Sequence, residues 1–468
     1  MLSFLAFALG LSIGHSADDV ADAARRIVSQ ERLLQTVREL VACGPRMGGT
    51  ESGLEAAAYL QKRFEELGLE VTTVDDPEMS TYEPKSWKVV ARSGDQTLEL
   101  KSAWPYLESP SGQLENVALA VTGSPGDELE GKAVLTKGHV ARAYGRWAAV
   151  KPKVILCAYP DDPEKNPDWT PVYRLRRAGD DAVPVFGISH HDAEKLRTLA
   201  EDGTVSIDAL LEAESGRGQP RTVIAEIPGV DPSRHLLFCA HGDSDGGGPG
   251  ADDNASGEAV VVEIATAWKK LLDEGLLDKP EVSVRFIIWG AEIHSTRAYL
   301  NSERGKAENI VAVINYDQAG TGASRDAIYV EPDDVEANGE LVAAFHRVLK
   351  RHHEKKGFWS EYASNKSLGG TDSYVFQSTR ATGGHIVPAV TVFSSAFGSP
   401  SIVDPTPGIE QPGWKGDPDK IVVDYSRVYH ASGDTPLNTT EKEPFNLERC
   451  ALAGLLGALE MLAGLEKR

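Results

Sequence analysis

His241, Asp253 and Asp317 each stand just past an apolar stretch of strand character, and His430 follows in a loop near the C-terminus. Imidazole and carboxylate are side chains that hold zinc while leaving a coordination position open for water. The stretches read LLFCAHGDSDGGGPGADDNASG, VRFIIWGAEIHS, VAVINYDQAG and YHASGDT, so ligand-type groups repeatedly follow a buried run. Residues so far apart in the chain share one site only if their strands are neighbours in a sheet, and open α/β sheets bind ligands at the carboxyl ends of their strands. An isolated HGD is ordinarily a hydrogen-bonded His at a strand end; its surroundings give it weight. Gly246 to Gly248, Pro249 and Gly250 remove side-chain bulk, and Asp252 and Asp253 arrive ahead of a helix start at Asn254 to Ser256. Carboxylates there are commonly helix caps, a role open to Asp252. Asp253 can instead bridge two cations, because its two oxygens can serve metals about 3.5–4 Å apart.

The elements that must position these groups are legible in the periodicity. LLFCA, VSVRFIIW, IVAVINY and PAVTVF have the length and apolar content of strands buried in a largely parallel sheet. Between them a helix is expected from Ser256 to about Leu272, with Val260, Val261, Ile264, Trp268 and Leu271 as its apolar stripe. Upstream, ADAARRIVSQERLLQTVREL reads as one helix, GPRMGGT as a turn, and a further helix begins at Thr50 or Ser52, carries Ala57, Leu60, Phe64 and Leu67 on one face, and stops at Gly68. LEVTTV then reads as an edge strand. From about Leu98 to Thr222 the character changes to short strands joined by Gly, Pro and Asp, with a helix over DAEKLRTLAEDG. The Pro/Gly-rich run at about 403–420 reads as a long loop, either a pocket wall or a surface excursion.

Composition bounds the function classes. With 41% hydrophobic and 25% charged residues over 468 positions, the chain is globular and long enough for two domains. The net charge of -22, from 70 acidic and 48 basic residues without a long basic run, argues against nucleic-acid and anionic-membrane partners. LSFLAFALGLSIGHSADD has a short apolar core followed by small residues, a secretory-signal pattern too short to span a bilayer, with cleavage expected near Ser16 or Ala17. It lacks a Lys or Arg near Met1. No later run is apolar enough for a membrane helix. Cys43, Cys157, Cys239 and Cys450 lack metal spacing; a Cys43–Cys450 pairing after export stays open.

The middle third resembles a protease-associated domain: GKAVL, KVILCAY, PVFGIS and KLRTLAEDG occur in that order. The ordered set HGD, GADDNASG, WGAE, INYDQAG and YHASGD is similar to the zinc exopeptidases of the bacterial leucyl aminopeptidase and glutamate carboxypeptidase family, over roughly 34–85 and 221–465, and GPRMGGTESGLEAAAYLQKRFEELGLEV matches that family's N-terminal helix. The resemblance implies a mixed, largely parallel α/β sheet flanked by helices with an inserted β-rich protease-associated domain: signal 1–17, peptidase domain 18–97 and 223–468, insertion 98–222. It implies His241 and Asp317 as ligands of one zinc, Asp253 as the bridge, His430 on a second zinc, Asp243 orienting the His241 imidazole, Asp372 in support and Glu292 as general base. It also implies a cis peptide between Asp253 and Asn254. The chain departs from the family at WGAEIHS, where Ile293 stands in place of a Glu ligand. His294 is a candidate replacement; alternatively Glu292 moves to the metal, or the second zinc is weak or absent.

These readings point to a secreted or periplasmic exopeptidase that holds one or two zinc ions and takes a peptide substrate, an aminopeptidase before a carboxypeptidase. Two alternatives stay open: a glutaminyl-cyclase-like acyltransferase using one zinc, and a non-catalytic peptidase-like binding protein. Substrate specificity and oligomeric state are not readable from the residues.

Overall fold

The computed structural model describes residues 15–175, 182–244, 247–321, 327–332, 336–364, 370–394 and 428–465. The apolar opening up to residue 14 and the expected loop at 403–420 lie outside them. Among the described residues no helix is long and apolar enough to cross a membrane.

One eight-stranded sheet carries the segments that end at His241 and lead to Asp317. Its order is Glu70–Asp75, Arg221–Ile227, Val282–Trp289, Asp231–His241, Ile310–Tyr316, Ala389–Phe393, Ala327–Pro332, Glu361–Ser364. The four strands from Val282–Trp289 to Ala389–Phe393 run parallel, and antiparallel pairings at Arg221–Ile227 and Ala327–Pro332 make the sheet mixed. Glu70–Asp75 is an edge strand, as its half-exposed pattern suggests. Asp231–His241 sits between Val282–Trp289 and Ile310–Tyr316, with Phe238 opposite both Phe286 and Ile314. These strands are apolar on both faces because helices cover both. The forecast stripe of the helix Gly257–Asp273 is buried, but so are Glu258 and Glu263 on its other side. This helix lies under Gln30–Ala42 and beside Phe445–Leu465 while its opposite face packs on the sheet.

The single N-terminal helix expected from the periodicity is two helices, Ala17–Ile27 and Gln30–Ala42. The break follows from Glu263. The Ser29 N–H donates to Glu263 Oε1 at 2.8 Å rather than to a helical carbonyl, and Arg32 donates to both oxygens of the same carboxylate. Ser29 Oγ then accepts the Arg32 N–H and caps the second helix. The next helix, Glu51–Glu66, begins after Thr50 as read, and Gly68 at φ +74° ends it. All four cysteines are free thiols, so Cys43 and Cys450 are not paired.

The middle third forms a second eight-stranded sheet of order Gln96–Glu99, Met79–Ser93, Ser206–Gly218, Gly112–Val121, Ala133–Thr136, Val154–Cys157, Val185–Gly187, Trp104–Pro105. It begins upstream of the boundary drawn at residue 98. Met79–Ser93 pairs along its length with Ser206–Gly218, and residue 98 falls within the last strand of a hairpin. The short apolar strands Ala133–Thr136, Val154–Cys157 and Val185–Gly187 are parallel neighbours, fully buried, and the helix His190–Asp202 follows them.

Candidate metal centre

His241 ends its strand, Asp317 follows Tyr316 at the end of the adjacent strand, and Asp253 lies in the turn leading to Gly257–Asp273. Sheet adjacency therefore brings three distant residues together. Ligand atoms of His241, Asp253 and Asp317, all buried, lie within 4.8 Å of one another. His241 Nε2 is 3.3 Å from Asp253 Oδ1 and 3.6 Å from Asp317 Oδ1. His430 Nε2 is 3.1 Å from the other oxygen, Asp253 Oδ2. Asp253 thus faces one imidazole with each oxygen.

These positions fit a cation. Ligands bonded to zinc at about 2.1 Å in a tetrahedron stand roughly 3.4 Å apart, close to the separations around His241 Nε2. His241 Nε2 and Asp317 Oδ1 are buried without a hydrogen-bond partner among the described residues, a costly condition that a metal would relieve. Burial works against a charge on His241, yet the carboxylates of Asp243, Asp253 and Asp317 carry its pKa well above the ordinary value. Burial also disfavours the Asp253 carboxylate, but His241 and His430 beside it hold its pKa far below the usual range. Around them, burial pushes the Asp372 carboxyl up to about 6, and burial together with Asp434 pushes Asp252 up to about 8. An enclosed group of carboxylates so short of positive charge suits a divalent cation.

The residues around the triplet hold it in place. His241 Nδ1 lies 3.0 Å from the Asp243 carbonyl and 3.2 Å from its carboxylate, which fixes the ring orientation. The same carboxylate accepts the Glu292 N–H at 2.9 Å. Asp372 Oδ1 accepts the Ile293 N–H at 2.8 Å and the Thr296 hydroxyl. Ile293 has φ +58°, rare for a β-branched residue, so Asp243 and Asp372 pin the corner that presents Glu292. The Ile293 side chain packs against an apolar cluster that includes Cys239, Trp289 and Phe376. His294 Nε2 is 2.8 Å from the Pro77 carbonyl, so that ring is engaged away from the three converging ligand atoms. Asp252 is no helix cap either; its Oδ1 accepts the Gly320 N–H. The Asp253–Asn254 peptide is cis.

The sequence signature of Peptidase family M28 matches residues 222–453, the stretch that contains His241, Asp253, Asp317 and His430. Over that stretch the chain carries a peptidase family M28 domain. The chain is 27% identical over 327 residues to "Probable lipoprotein aminopeptidase LpqL" of Mycobacterium tuberculosis, covering 65% of this chain and 62% of that protein. It is 28% identical over 151 residues to "Leucine aminopeptidase 2" of Trichophyton rubrum, covering 31% of this chain and spanning 29% of that relative's length. In fold it resembles a peptidase M28 precursor from Shewanella amazonensis, with TM-score 0.62, 19% identity and 96% and 97% of the two chains covered. It also resembles BSAP, a zinc aminopeptidase from Bacillus subtilis, with TM-score 0.57, 18% identity and 92% and 94% covered.

Three residues of this chain shape the site without having stood out in the sequence. Asp434, just after His430, accepts the N–H groups of Asp252 at 2.8 Å and Asp253 at 3.0 Å. Asn254 donates to the carbonyls of His241 and Tyr316 at 3.3 and 2.9 Å, and its Oδ1 accepts the N–H groups of Gly257 and Gln318. Arg46, fully buried, donates to the Pro249 and Gly250 carbonyls at 3.0 and 2.8 Å and lies 3.6 Å from buried Glu258. Each sat inside a motif already singled out, GPRMGGT, GADDNASG or YHASGDT. A charged or amide side chain among small residues was the available signal.

Proposed function

We propose that this protein is a zinc-dependent aminopeptidase in which His241, Asp253, Asp317 and His430 hold up to two ions. The observation that carries the reading is the placement of one imidazole against each oxygen of Asp253. Bound zinc would supply Lewis acidity and a water of lowered pKa near a peptide carbonyl. Glu292, presented by the corner that Asp243 and Asp372 pin, takes the proton of the attacking water and delivers it to the departing amine. Asp243 keeps His241 oriented, and Asp434 and Asn254 keep Asp253 in register. With Ile293 where the family resemblance implies a carboxylate ligand, an ion beside His430 would be held more weakly than one beside His241. The names of the relatives favour an aminopeptidase and peptide substrates; that of the mycobacterial relative, together with the apolar opening of this chain, supports export. The second sheet is read as a protease-associated domain, on the order of its short parallel strands and following helix.

The Glu292→Gln variant keeps the shape of the side chain while removing its basicity. It should retain zinc and lose turnover by roughly 10²–10⁴-fold. Turnover is read on free and N-blocked dipeptides, and zinc by elemental analysis of the same samples. Undiminished turnover would remove Glu292 from the role, whereas a wild-type protein that takes up no zinc would sink the metallopeptidase reading. Cleavage of N-blocked dipeptides only would replace aminopeptidase by another exopeptidase, and cyclised N-terminal glutamine without cleavage would point to an acyltransferase.

A further inference from the structure

The segment bearing His430 is held from the second sheet's side of the molecule as well as from the metal-binding side. The Val172 N–H donates to the His430 carbonyl at 2.7 Å, and the Ser432 N–H donates to the Thr170 carbonyl at 2.9 Å. The Thr170 N–H donates to Ser432 Oγ at 3.0 Å, and Pro171 and Ala431 form an antiparallel bridge. Trp169 closes over Gly433 so tightly that a Cβ there would lie 2.4 Å from its ring. Beside this bridge a second contact grips the loop leading to Asp253. The Trp104 indole donates to the Gly247 carbonyl at 3.2 Å, and Leu107 abuts Gly247, where a Cβ would lie 2.5 Å from Cδ2. The two gripping segments are themselves tied, because the Leu107 N–H donates to the Tyr173 carbonyl and the Leu175 N–H to the Leu107 carbonyl. Leu107 and Val172 are buried in a small core with Met47 and Tyr82.

We infer that this double grip, from Trp104–Leu107 and Trp169–Val172, is a positioning device for the metal centre that sets His430 against Asp253. The inference rests on the zinc reading. Its physical basis is the backbone of His430, which has φ +48° in the left-handed region, a conformation that persists only when its surroundings enforce it. Asp434 fixes the chain from the metal side through the N–H groups of Asp252 and Asp253. Thr170 and Val172 fix it from the other side, so the imidazole is held between two sets of bonds. A ligand on a loop that is otherwise free to move would lose affinity to ordering entropy; pinning the loop removes that loss. The second sheet thereby contributes to ion retention without providing a ligand.

The test is a zinc titration of the full chain against a competing chelator for wild type, His430→Ala, Trp169→Ala, Trp169→Phe and Ser432→Ala. Trp169→Ala should weaken the ion that His430→Ala also weakens by about 10–100-fold, the range for groups that orient a ligand from behind. Trp169→Phe should recover most of that loss. Ser432→Ala, a small change that removes the acceptor of the Thr170 N–H, should move the same ion in the same direction by less. Any fall in the unfolding midpoint of the metal-free protein is measured separately, and added zinc should restore Trp169→Ala activity by mass action. Trp169→Ala and Ser432→Ala titrating zinc like wild type would overturn the inference and leave the zinc reading standing; should Trp169→Ala not fold, Ser432→Ala decides by the same criterion. A wild type that binds no zinc would end both.

Discussion

Asn254 ties two distant segments of the candidate site with one side-chain amide, which donates to the carbonyls of His241 and Tyr316 and accepts the Gln318 N–H. Replacing it by Ala would strand buried backbone groups, at about 1–3 kcal/mol for each group left unpaired. Asn254→Ala should therefore lower the urea midpoint sharply and weaken zinc uptake in the same protein; a midpoint equal to wild type would show that the cross-tie carries no weight. His241, Asp253, Asp317 and His430, which the fold brings together, were legible because their chemistry is their signal: imidazole and carboxylate after apolar runs. Asn254, Asp434 and Arg46 were not, because they act by bonding the backbone of distant segments, and the same residue types are common in loops. His294 shows the reverse error, since a ligand-type side chain in the right stretch spends its ring on the Pro77 carbonyl.

The strand ends set the site, and the helices decide how firmly the strands sit. Gly454, inside the helix Phe445–Leu465, allows that helix to approach Tyr316, whose Oη would be 1.5 Å from any Cβ added there. A helix-interior glycine costs about 0.5–1 kcal/mol against alanine, so its presence reflects the packing. Gly454→Ala should destabilise by about 1–3 kcal/mol through overpacking, and Tyr316→Phe should recover part of it in the double variant. Chemical denaturation of the four proteins of that cycle measures the coupling, and simple additivity would argue that the two residues do not meet. The parallel core strands and the helix after Asp253 followed from periodicity, which is a local property. The break at Ser29 did not, because it depends on Glu263 arriving from a helix far along the chain.

Across the whole molecule, two buried histidines remote from the centre make stability acid-sensitive. His235 and His352 are each held down to about 4, by burial first and then by the neighbouring positive charges Arg285 and Lys355 respectively. With the folded values depressed, the unfolded chain takes up protons that the folded one does not, so each contribution is present above about pH 6.5 and is lost as pH falls towards 4. His352 stacks on Phe358 with ring centroids 4.6 Å apart, so His352→Phe preserves the packing. That variant should gain on the order of 1–2 kcal/mol over wild type between pH 7 and pH 4.5, read as the difference between their unfolding curves. A pH-independent difference would exclude His352 as a source. The amino-acid sequence by itself determined the placement of imidazole and carboxylate side chains after apolar runs and the α/β alternation, because hydrophobic period and side-chain chemistry are written residue by residue. Tertiary structure alone decided that the second sheet begins at Met79, that Asp434 grips the Asp253 turn, and that Trp169–Val172 pairs with the His430 segment. Those outcomes rest on buried polar groups finding partners across the fold, and such pairing leaves no periodic mark on the chain.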